Sequence, residues 1–291
     1  MKRVILCPNP YRDNDLQAAK RARDILCEIG FETVLCLPFQ REGYEDLPGV
    51  DIQQLQQEIK SADLLIAFGG DGTILHLART VALHRVPVLG INLGNLGFMS
   101  ELEANELDRL YDLKSWDFTV ESRMMLDVTI FREGRAVYNS LALNDAVISK
   151  GPVARVVRLD IFTEGDQLLT KVSGDGVIVS TPTGSTGYAM SAGGPIIEPT
   201  ARNLLICPIC AHSTRADSYV LAPEHVITVK ASESNRTAVY LSADGGKPFN
   251  LRSEDVVRVR QAKFDTKLVR LSKKSFCQIL DSKMGTEGGT Q

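Results

Sequence analysis

The chain has 291 residues, a length above the ~100 to 200 residues of one typical domain, so two packed domains or one large domain are expected. With 44% hydrophobic and 24% charged residues, its composition is globular and excludes a disordered or fibrous chain. The net charge of -3 lacks the basic excess that binding a nucleic-acid backbone demands. A small ligand is therefore expected, with no nucleic acid as a partner.

Membrane and disulfide features are sparse in the sequence. No apolar run approaches the ~18 residues that cross a bilayer, and Pro8 interrupts the start before a signal peptide could form. We expect a cytoplasmic protein with no membrane partner, whose six cysteines stay unpaired in a reducing compartment. Cys207 and Cys210 form a CxxC, which is half of a zinc site or a redox pair, but no second ligand pair lies nearby. Coincidental spacing is favoured, and no metal ligands are assigned.

Strands and helices alternate along the first part of the chain. The pattern predicts strands over residues 3–6, 33–37, 64–68 and 86–91, with helices over 15–29, after Asp51 as a cap, and from Thr73. Such alternation predicts an α/β domain with a Rossmann-like parallel sheet, whose ligands bind beyond the carboxyl ends of the strands. Residues 69–73 lie at such an end.

The pattern changes after a predicted helix around residues 105–113. Short strands separated by turns, such as those at 132–134 and 164–166, continue to about residue 260 and predict a mostly β C-terminal domain. A short helix is predicted over 275–280 and a frayed tail over 285–291. The predicted domains are therefore 1–100 and 101–261, with the tail 262–291 packing back on the first.

The sequence GGDGT at residues 69–73 carries the first chemical signal. Its glycines allow a sharp strand-to-helix turn near a phosphate, and the helix N-terminus favours negative charge. A carboxylate such as Asp71 is repelled by phosphate unless a metal ion or a proton transfer accounts for it, which indicates catalysis. The alternative is that Asp71 only caps the following helix. No GxxxxGK[ST] or GxGxxG occurs, so a P-loop or a dinucleotide fingerprint is not indicated.

Two polar stretches stand out in the second half. Asn144 and Asp145 interrupt the apolar strand LALNDAVI and need partners or a ligand, unless they form a simple strand-end turn. Residues 180–191 offer several hydroxyls to ribose or phosphate oxygens, and Tyr188 can stack on an adenine. The alternative is a polar surface loop without function.

Four segments together resemble the NAD kinases: GGDGTIL at 69–75, GINLGNLGFMSE at 90–101, LNDAVI at 143–148 and GDGVIVSTPTGSTGYAMSAGGPII at 174–197. The GGDGT segment alone is shared with diacylglycerol and sphingosine kinases, but the four segments cover both halves in the family's order. The resemblance implies transfer of the γ-phosphoryl of ATP to the 2′-hydroxyl of the adenosine ribose of NAD, with Mg²⁺ or another divalent cation bound with ATP. It also implies a homodimer or homotetramer.

The resemblance also implies a set of site residues. Asp71 would be catalytic and, with Gly72, would face the reacting hydroxyl, while Asn144 and Asp145 would hold the adenine and ribose side of NAD. The full NAD-binding set implied is Asp71, Gly72, His76, Asn144, Asp145, Arg155, Asp175, Thr186, Gly187, Tyr188, Ala189, Met190 and Ser191. Arg155 and His76 are the weaker matches, and a lone histidine such as His76 is commonly structural.

The sequence departs from the family pattern at two places. Gly246 stands where relatives often carry glutamine, so any ligand contact there is limited to the backbone. Asp217 and Ser218 occupy the position of a common Arg-Pro pair, which removes the basis for a phosphate-binding role of that loop. The rival functions are a lipid kinase, disfavoured by the acidic pI and residues 180–188, and a dinucleotide sensor that has lost turnover.

Overall fold

A computed structural model of the chain describes residues 1–39, 51–94, 97–164, 167–212, 217–272 and 275–284. The chain forms two compact units, one comprising Met1–Ser122 with Thr266–Gln291 and the other Arg123–Asp265. The division therefore falls at Ser122, whereas the sequence predicted it at residue 100. The predicted turn residues 165–166 and the predicted tail 285–291 lie outside the described residues.

The first unit alternates strands and helices as predicted. Its strands are β1 (Arg3–Pro8), β2 (Glu32–Cys36), β3 (Ile52–Gln53), β4 (Leu64–Gly69), β5 (Val88–Asn92) and β6 (Leu102–Glu103). Its helices are α1 (Gln17–Glu28), α2 (Leu55–Glu58), α3 (Asp71–His84) and α5 (Phe276–Met284), with short 3-10 turns at Asn14–Leu16 and Ile59–Ser61.

A parallel sheet forms the centre of the first unit, in the order β3-β2-β1-β4-β5. All residues of β4 are buried, as expected for a strand with helices on both faces of its sheet. Helix α1 buries Ala19, Ala22 and Ile25 and is followed by Gly30 at φ 88°, a left-handed backbone that glycine adopts without strain. The predicted α/β domain with a Rossmann-like parallel sheet is confirmed.

The first unit continues past residue 100 because the next segment packs on its core. A 3-10 helix spans Ala104–Ser115, and its capping box pairs the side chain of each of Glu103 and Glu106 with the other's backbone N–H. Its three buried leucines, Leu107, Leu110 and Leu113, belong to the same hydrophobic cluster as α1, β1 and β4. Leaving them exposed would cost about 1.5–3 kcal/mol per side chain, so this segment belongs with the first unit.

The predicted helix cap at Asp51 is wrong. Residues Ile52–Gln53 are extended in β3, where Ile52 pairs with Leu35 of β2, and α2 begins only at Leu55. Its N-cap is Gln54, which makes no side-chain capping hydrogen bond. The pairing with β2 therefore takes the chain out of the helical conformation at the position where the sequence suggested a cap.

The second unit is built from antiparallel strands. The strands are β7 (Thr119–Arg132), β8 (Arg135–Ala142), β9 (Asp145–Lys150), β10 (Val157–Phe162), β11 (Leu168–Gly174), β12 (Gly176–Ser180), β13 (Leu204–Ile209), β14 (Tyr219–Leu221), β15 (Ile227–Ala231), β16 (Val239–Ala243), β17 (Phe249–Leu251) and β18 (Val256–Arg270). One sheet has the order β14-β13-β12-β9-β16-β17. Four other strands pair antiparallel in the order β11-β10-β15-β18. A 3-10 helix, Thr183–Thr186, and helix α4 (Tyr188–Ser191) interrupt the strands. The predicted mostly β C-terminal domain is confirmed.

The β7–β8 hairpin and the long strand β18 connect parts of the chain as follows. Glu133 and Gly134 have φ of 50° and 76° and join β7 to β8 in a two-residue hairpin, which confirms the turn predicted at 132–134. Strand β18 begins in the second unit and ends in the first, where Leu268 pairs in parallel with Val88. In the described part of the chain, no helix is both long enough and apolar enough to span a membrane.

Candidate active site

The glycine turn at residues 69–73 joins β4 directly to α3. Strand β4 ends at Gly69, Gly70 is the N-cap, and α3 begins at Asp71. A Cβ on Gly69 would stand 3.0 Å from the Cβ of Thr73 and 3.2 Å from that of Asn9, so a side chain has no room there. The amide of Asn9 donates to the hydroxyl of Thr73 at 3.0 Å, which fixes the loop after β1 against the start of α3.

The carboxylate of Asp71 is held by the backbone of the loop that follows β5. Its Oδ2 accepts from the N–H of Phe98 at 2.7 Å and its Oδ1 from the N–H of Met99 at 3.1 Å. Asp71 is the first residue of α3, and no side-chain hydrogen bond caps this helix, so the capping interpretation of Asp71 is wrong. Two donors fix the carboxylate while each oxygen keeps a lone pair for a further donor.

The C-terminal helix α5 places the ammonium group of Lys283 near Phe98 and Asp71. The Nζ of Lys283 on α5 lies 3.7 Å from the centroid of the Phe98 ring. Burial lowers the pKa of Lys283, and the negative charge of Asp71 acts in the opposite direction. No motif of the sequence singles out Lys283, and its proximity to Asp71 arises from the return of the chain to the first unit.

Gly72 and His76 follow Asp71 on α3, and both are exposed. The ring of His76 packs edge-on against Phe39 with centroids 5.2 Å apart. A Cβ added to Gly72 would meet no atom within 4 Å. The NAD-binding roles of Gly72 and His76 stay predictions.

In the second unit, Asp244 organises the backbone around the predicted Asn-Asp pair. Its carboxylate accepts from the N–H groups of Leu143, Asn144 and Asp145 at 2.6, 2.8 and 3.0 Å. The carbonyl of Asn144 in turn accepts from the hydroxyl of Ser180 at 3.0 Å. The sequence does not reveal this role of Asp244, because a carboxylate that binds backbone N–H groups about 100 residues away leaves no local pattern.

The side chain of Asn144 has an acceptor without a partner. Its Oδ1 is buried and receives no hydrogen bond from the described residues. Its Nδ2 lies 3.7 Å from the position that a Cβ on Gly187 would take. A buried unsatisfied acceptor costs about 1–3 kcal/mol, so a ligand that donates to Oδ1 would stabilise this site.

Asp145 and Asp244 form a buried pair of carboxyl groups with different surroundings. Burial, with a smaller contribution from the charge of Asp244, raises the pKa of Asp145 to about 7. Burial also raises the pKa of Asp244, but its three backbone N–H donors oppose that rise. Because no hydrogen bond reaches the Asp145 carboxylate from the described residues, Asp145 is the member of the pair that takes up a proton first.

This pairing predicts a pH-dependent stability. Since the pKa of Asp145 is about 7 in the folded protein and ~3.9 in the unfolded chain, folding takes up a proton in this window and stability rises as the pH falls from 8 to 6. When the pH falls from 8 to 6, we expect the melting temperature of the ligand-free wild type to rise by about 3 °C more than that of Asp145→Asn. Thermal unfolding of both proteins at the two pH values measures the difference. Equal shifts in both would contradict the raised pKa.

Asp175 and Tyr188 share the electrostatic environment of Asp145. Asp175 forms an ion pair with Lys150 at 2.8 Å. Burial raises the pKa of Tyr188, and Cys210, Asp175 and Asp145 raise it further, which requires these groups to lie near the phenol. The ring of Tyr188 is 47% exposed and so accessible for stacking. The structure thus brings together Asp145, Asp175 and Tyr188.

The predicted loop residues after β12 differ in accessibility. Ser191 is exposed, while Thr186, Gly187 and Met190 are half-buried. The side chain of Ala189 is fully buried in the cluster of Ile178, Leu205, Cys207 and Ile209. Contact of Ala189 with a ligand would therefore use its backbone alone, and its carbonyl already accepts from the N–H of Gly194 at 2.9 Å.

The structure does not join Arg155 to these residues. Arg155 is exposed in the connection between β9 and β10, and no contact within the described ranges links it to Asn144, Asp145 or Tyr188. Both backbone groups of Gly246 are used locally, since its N–H donates to the carbonyl of Ala243 and its own carbonyl accepts from Ser242. The carbonyl of Gly246 keeps one lone pair for a further donor, and the NAD-binding role of Arg155 stays a prediction.

Ser218, among the described residues after β13, contacts the first cysteine of the CxxC. The hydroxyl of Ser218 donates to the sulfur of Cys207 at 3.5 Å, and Asp217 is exposed. Cys207 is a buried free thiol and Cys210 an exposed one. Burial raises the pKa of Cys207, as expected for an unreactive thiol.

A glycine turn that joins a parallel strand to a helix N-terminus, as at the start of α3, is a feature of nucleotide-binding phosphotransferases. Residues 4–113 match the model of the ATP-NAD kinase N-terminal domain, and residues 143–271 that of the ATP-NAD kinase C-terminal domain. The chain belongs to the NAD kinase family.

Individual relatives match the chain over three quarters of its length or more. The chain is 39% identical to the NAD kinase of Natranaerobius thermophilus, over 98% of each chain. It is 46% identical to that of Symbiobacterium thermophilum, over 76% of this chain and 78% of the relative. Among solved structures, yeast NADH kinase complexed with NADH has a TM-score of 0.84 at 26% identity, covering 100% of this chain and 89% of that one. An NAD kinase from Archaeoglobus fulgidus in complex with ATP has the same fold, with a TM-score of 0.75 at 23% identity over 97% and 98% of the two chains.

Proposed function

We propose that this chain transfers the γ-phosphoryl group of ATP to the 2′-hydroxyl of the adenosine ribose of NAD, giving NADP and ADP. The observation that carries the proposal is that one chain matches both domains of the ATP-NAD kinases and retains Asp71, Asn144 and Asp145 at their motif positions. In the reaction the 2′-oxygen forms a bond to the γ-phosphorus, the bond between that phosphorus and the bridging oxygen breaks, and the hydroxyl proton is released.

Asp71 is the proposed acceptor of that proton. Its carboxylate is oriented by the N–H groups of Phe98 and Met99, so it is positioned before substrate arrives. Phosphoryl transfer through a loose transition state needs little early deprotonation, so the first task of Asp71 is to orient the hydroxyl. Final transfer of the proton to the same carboxylate completes the step.

The second unit supplies the proposed binding groups for NAD. The unsatisfied Oδ1 of Asn144 suits the exocyclic amine of adenine, and the carboxyl of Asp145 suits a ribose hydroxyl. The exposed ring of Tyr188 offers a stacking surface for a base. Asp175 and the loop residues Thr186, Gly187, Met190 and Ser191 would complete the pocket, with Ala189 contributing only its backbone.

Mg²⁺ belongs to this proposal as a component of the ATP substrate. Among the residues that the structure describes, no three His, Cys, Asp or Glu side chains lie close enough together to hold a metal ion. In kinases, Mg²⁺ is commonly held by substrate phosphates and waters, with only one or two carboxylates from the protein. A cytoplasmic location and a homodimer or homotetramer are further parts of the proposal, and light scattering of the purified protein tests the oligomer.

The test is formation of NADP from NAD, ATP and Mg²⁺ by the purified protein, followed by chromatography, with NADH and a diacylglycerol as alternative acceptors. We expect NADP from the wild type and none from Asp71→Ala. Phosphorylated lipid without NADP would favour a lipid kinase. Binding of NAD without product would favour a dinucleotide sensor and would overturn the proposed reaction.

A further inference from the structure

The backbone donors that hold Asp71 lie in a loop that is fixed by a distant part of the chain. Residues 97–101 form this Asp71 loop, in which the N–H groups of Phe98 and Met99 bind the Asp71 carboxylate. Such donors orient a carboxylate only as firmly as the loop that carries them is held. The contacts between this loop and the chain that returns after β18 therefore bear on the position of Asp71.

Arg270, the last residue of β18, binds the backbone of the Asp71 loop. Its side chain is 10% exposed, and its Nη1 donates to the carbonyls of Met99 and Ser100, each at 3.3 Å. A guanidinium so far removed from water needs acceptors from the protein, and the loop carbonyls supply two of them. Met99 donates its N–H to Asp71 and accepts at its carbonyl from Arg270, so this one residue links the two side chains.

Two carboxylates hold Arg270 in this position. The Oε2 of Glu121 accepts from the Nε of Arg270 at 2.8 Å, and the Oε2 of Glu101 accepts from its Nη1 at 3.3 Å. The Oε1 of Glu101 accepts from the N–H groups of Leu271 and Ser272 at 2.9 and 2.6 Å. Glu101 is the last residue of the Asp71 loop, and its side chain is 4% exposed. The loop and the segment after β18 are therefore joined through buried charged groups within the first unit.

Helix α5, which follows this segment, reaches the other donor of the Asp71 loop. The Nζ of Lys283 lies over the Phe98 ring, 3.7 Å from its centroid. An ammonium group at this distance is attracted by the quadrupole of the ring, and more strongly where the site is partly shielded from water, as for the half-buried Lys283. The N–H of Phe98 donates to Asp71. Each of the two residues whose N–H groups hold Asp71 is thus contacted by a cation of the returning chain.

The alternative is that these contacts only attach the C-terminal segment to the first unit. Apolar contacts already provide that attachment, because Val269 is buried in the core cluster of this unit and Leu271 packs against it. Attachment alone does not require a buried guanidinium, whose removal from water is unfavourable unless its acceptors are well placed. The convergence of Arg270 and Lys283 on one short loop points instead to a task at that loop.

We propose that Arg270 and Lys283 are positioning residues for the phosphoryl-transfer step, which fix the Asp71 loop so that its N–H groups hold the Asp71 carboxylate against the acceptor hydroxyl. The inference rests on the proposed kinase function and deepens it, because it adds the segment after β18 to the active site. That segment contains none of the four stretches that resemble the NAD kinases. Neither residue contacts a substrate in this role, so a change at either lowers the rate and leaves substrate affinity intact.

The kinetic test compares Arg270→Gln and Lys283→Gln with the matched control Lys267→Gln, which removes an exposed cation of β18. We expect kcat for NADP formation to fall about 10²-fold in Arg270→Gln and about tenfold in Lys283→Gln, with NAD affinity by calorimetry within about twofold of the wild type. The control should keep the wild-type kcat. Wild-type kcat in both Arg270→Gln and Lys283→Gln would overturn the proposal, as would a loss of NAD affinity that accounts for the fall in activity.

Conservative variants separate positioning from a general effect on stability. Arg270→Lys keeps the charge but lacks the planar fork that binds several acceptors at once, so we expect it to recover kcat only in part. Lys283→Arg keeps a cation that can lie over the Phe98 ring and should restore kcat to within about twofold of the wild type. The Lys283 variants decide the question if Arg270→Gln does not fold, because they alter only the terminal helix α5. Equal losses of kcat in Lys283→Gln and Lys283→Arg would contradict a role for the cation.

Hydrogen exchange of the loop amides gives a measurement that does not depend on turnover. The N–H groups of Phe98 and Met99 are bound to a carboxylate, so they exchange slowly while the loop is fixed. By nuclear magnetic resonance, we expect both amides to exchange at least about tenfold faster in Arg270→Gln and Lys283→Gln than in Lys267→Gln.

The positioning role and the proposed reaction fail in different ways. Unchanged exchange of both loop amides in Arg270→Gln and Lys283→Gln would overturn the positioning role, even if the protein makes NADP. Faster exchange in these variants of a protein that makes no NADP would confirm that the returning segment fixes the Asp71 loop and would overturn the proposed reaction.

Discussion

Replacing Asp71 with asparagine is expected to lower kcat by about 10²–10⁴ while NAD affinity stays near the wild-type value. The substitution removes the group that orients the 2′-hydroxyl and takes its proton, but it leaves the proposed NAD pocket around Asn144 and Asp145 unchanged. Steady-state formation of NADP measures kcat, and calorimetry measures NAD binding. Turnover within a few-fold of the wild type would contradict the assigned role.

A structural effect of the same substitution has to be separated from the chemical one. An amide at position 71 would place an N–H group against the N–H of Phe98 or Met99, so one backbone donor would lose its acceptor. Such a loss costs about 1–3 kcal/mol and should lower the melting temperature. A fall in kcat with preserved NAD and ADP binding identifies the catalytic role, whereas loss of binding together with activity would indicate a disturbed fold.

The fold was predictable where burial alone determines the conformation. The apolar run 64–68 is a strand buried on both faces, and the glycines of 69–73 mark its junction with a helix. These features depend on neighbouring residues, whose spacing the sequence displays directly. The exception, Asp51, failed because pairing of Ile52 with Leu35 is a non-local interaction that competes with the local capping signal.

The candidate site was predictable as motifs but not as a network. The sequence identified Asp71, Asn144 and Asp145 as polar groups that need partners, yet the partners came from distant segments. Asp71 is bound by backbone N–H groups 27 and 28 residues away, which leave no mark in residue type. The three donors that reach Asp244 are likewise backbone groups. The buried pair of Asp145 and Asp244, and the raised pKa of Asp145, could therefore be recognised only in the folded structure.

A glycine outside the GGDGT motif is expected to matter almost as much as Asp71. A Cβ at Gly97 would stand 2.6 Å from the Cγ of Asp71 and overlap its carboxylate, so Gly97→Ala forces that carboxylate away from the N–H groups of Phe98 and Met99. A displacement of about 1 Å at a reacting group can cost roughly 10² in rate, so we expect kcat to fall by about that factor. NAD affinity should remain unchanged, because the proposed NAD-binding side chains of the second unit are untouched.

The double variant Asp71→Asn with Gly97→Ala tests whether the glycine acts through the carboxylate. If the added methyl group acts only by displacing the Asp71 carboxylate, it has no further effect once that carboxylate is replaced. The kcat of the double variant should then equal that of Asp71→Asn within about twofold. Multiplied losses would mean that Gly97 serves the reaction by a separate route, such as the conformation of the loop after β5. Wild-type turnover of the single Gly97→Ala variant would show that the carboxylate tolerates displacement, and the case for a pre-positioned Asp71 would then fail.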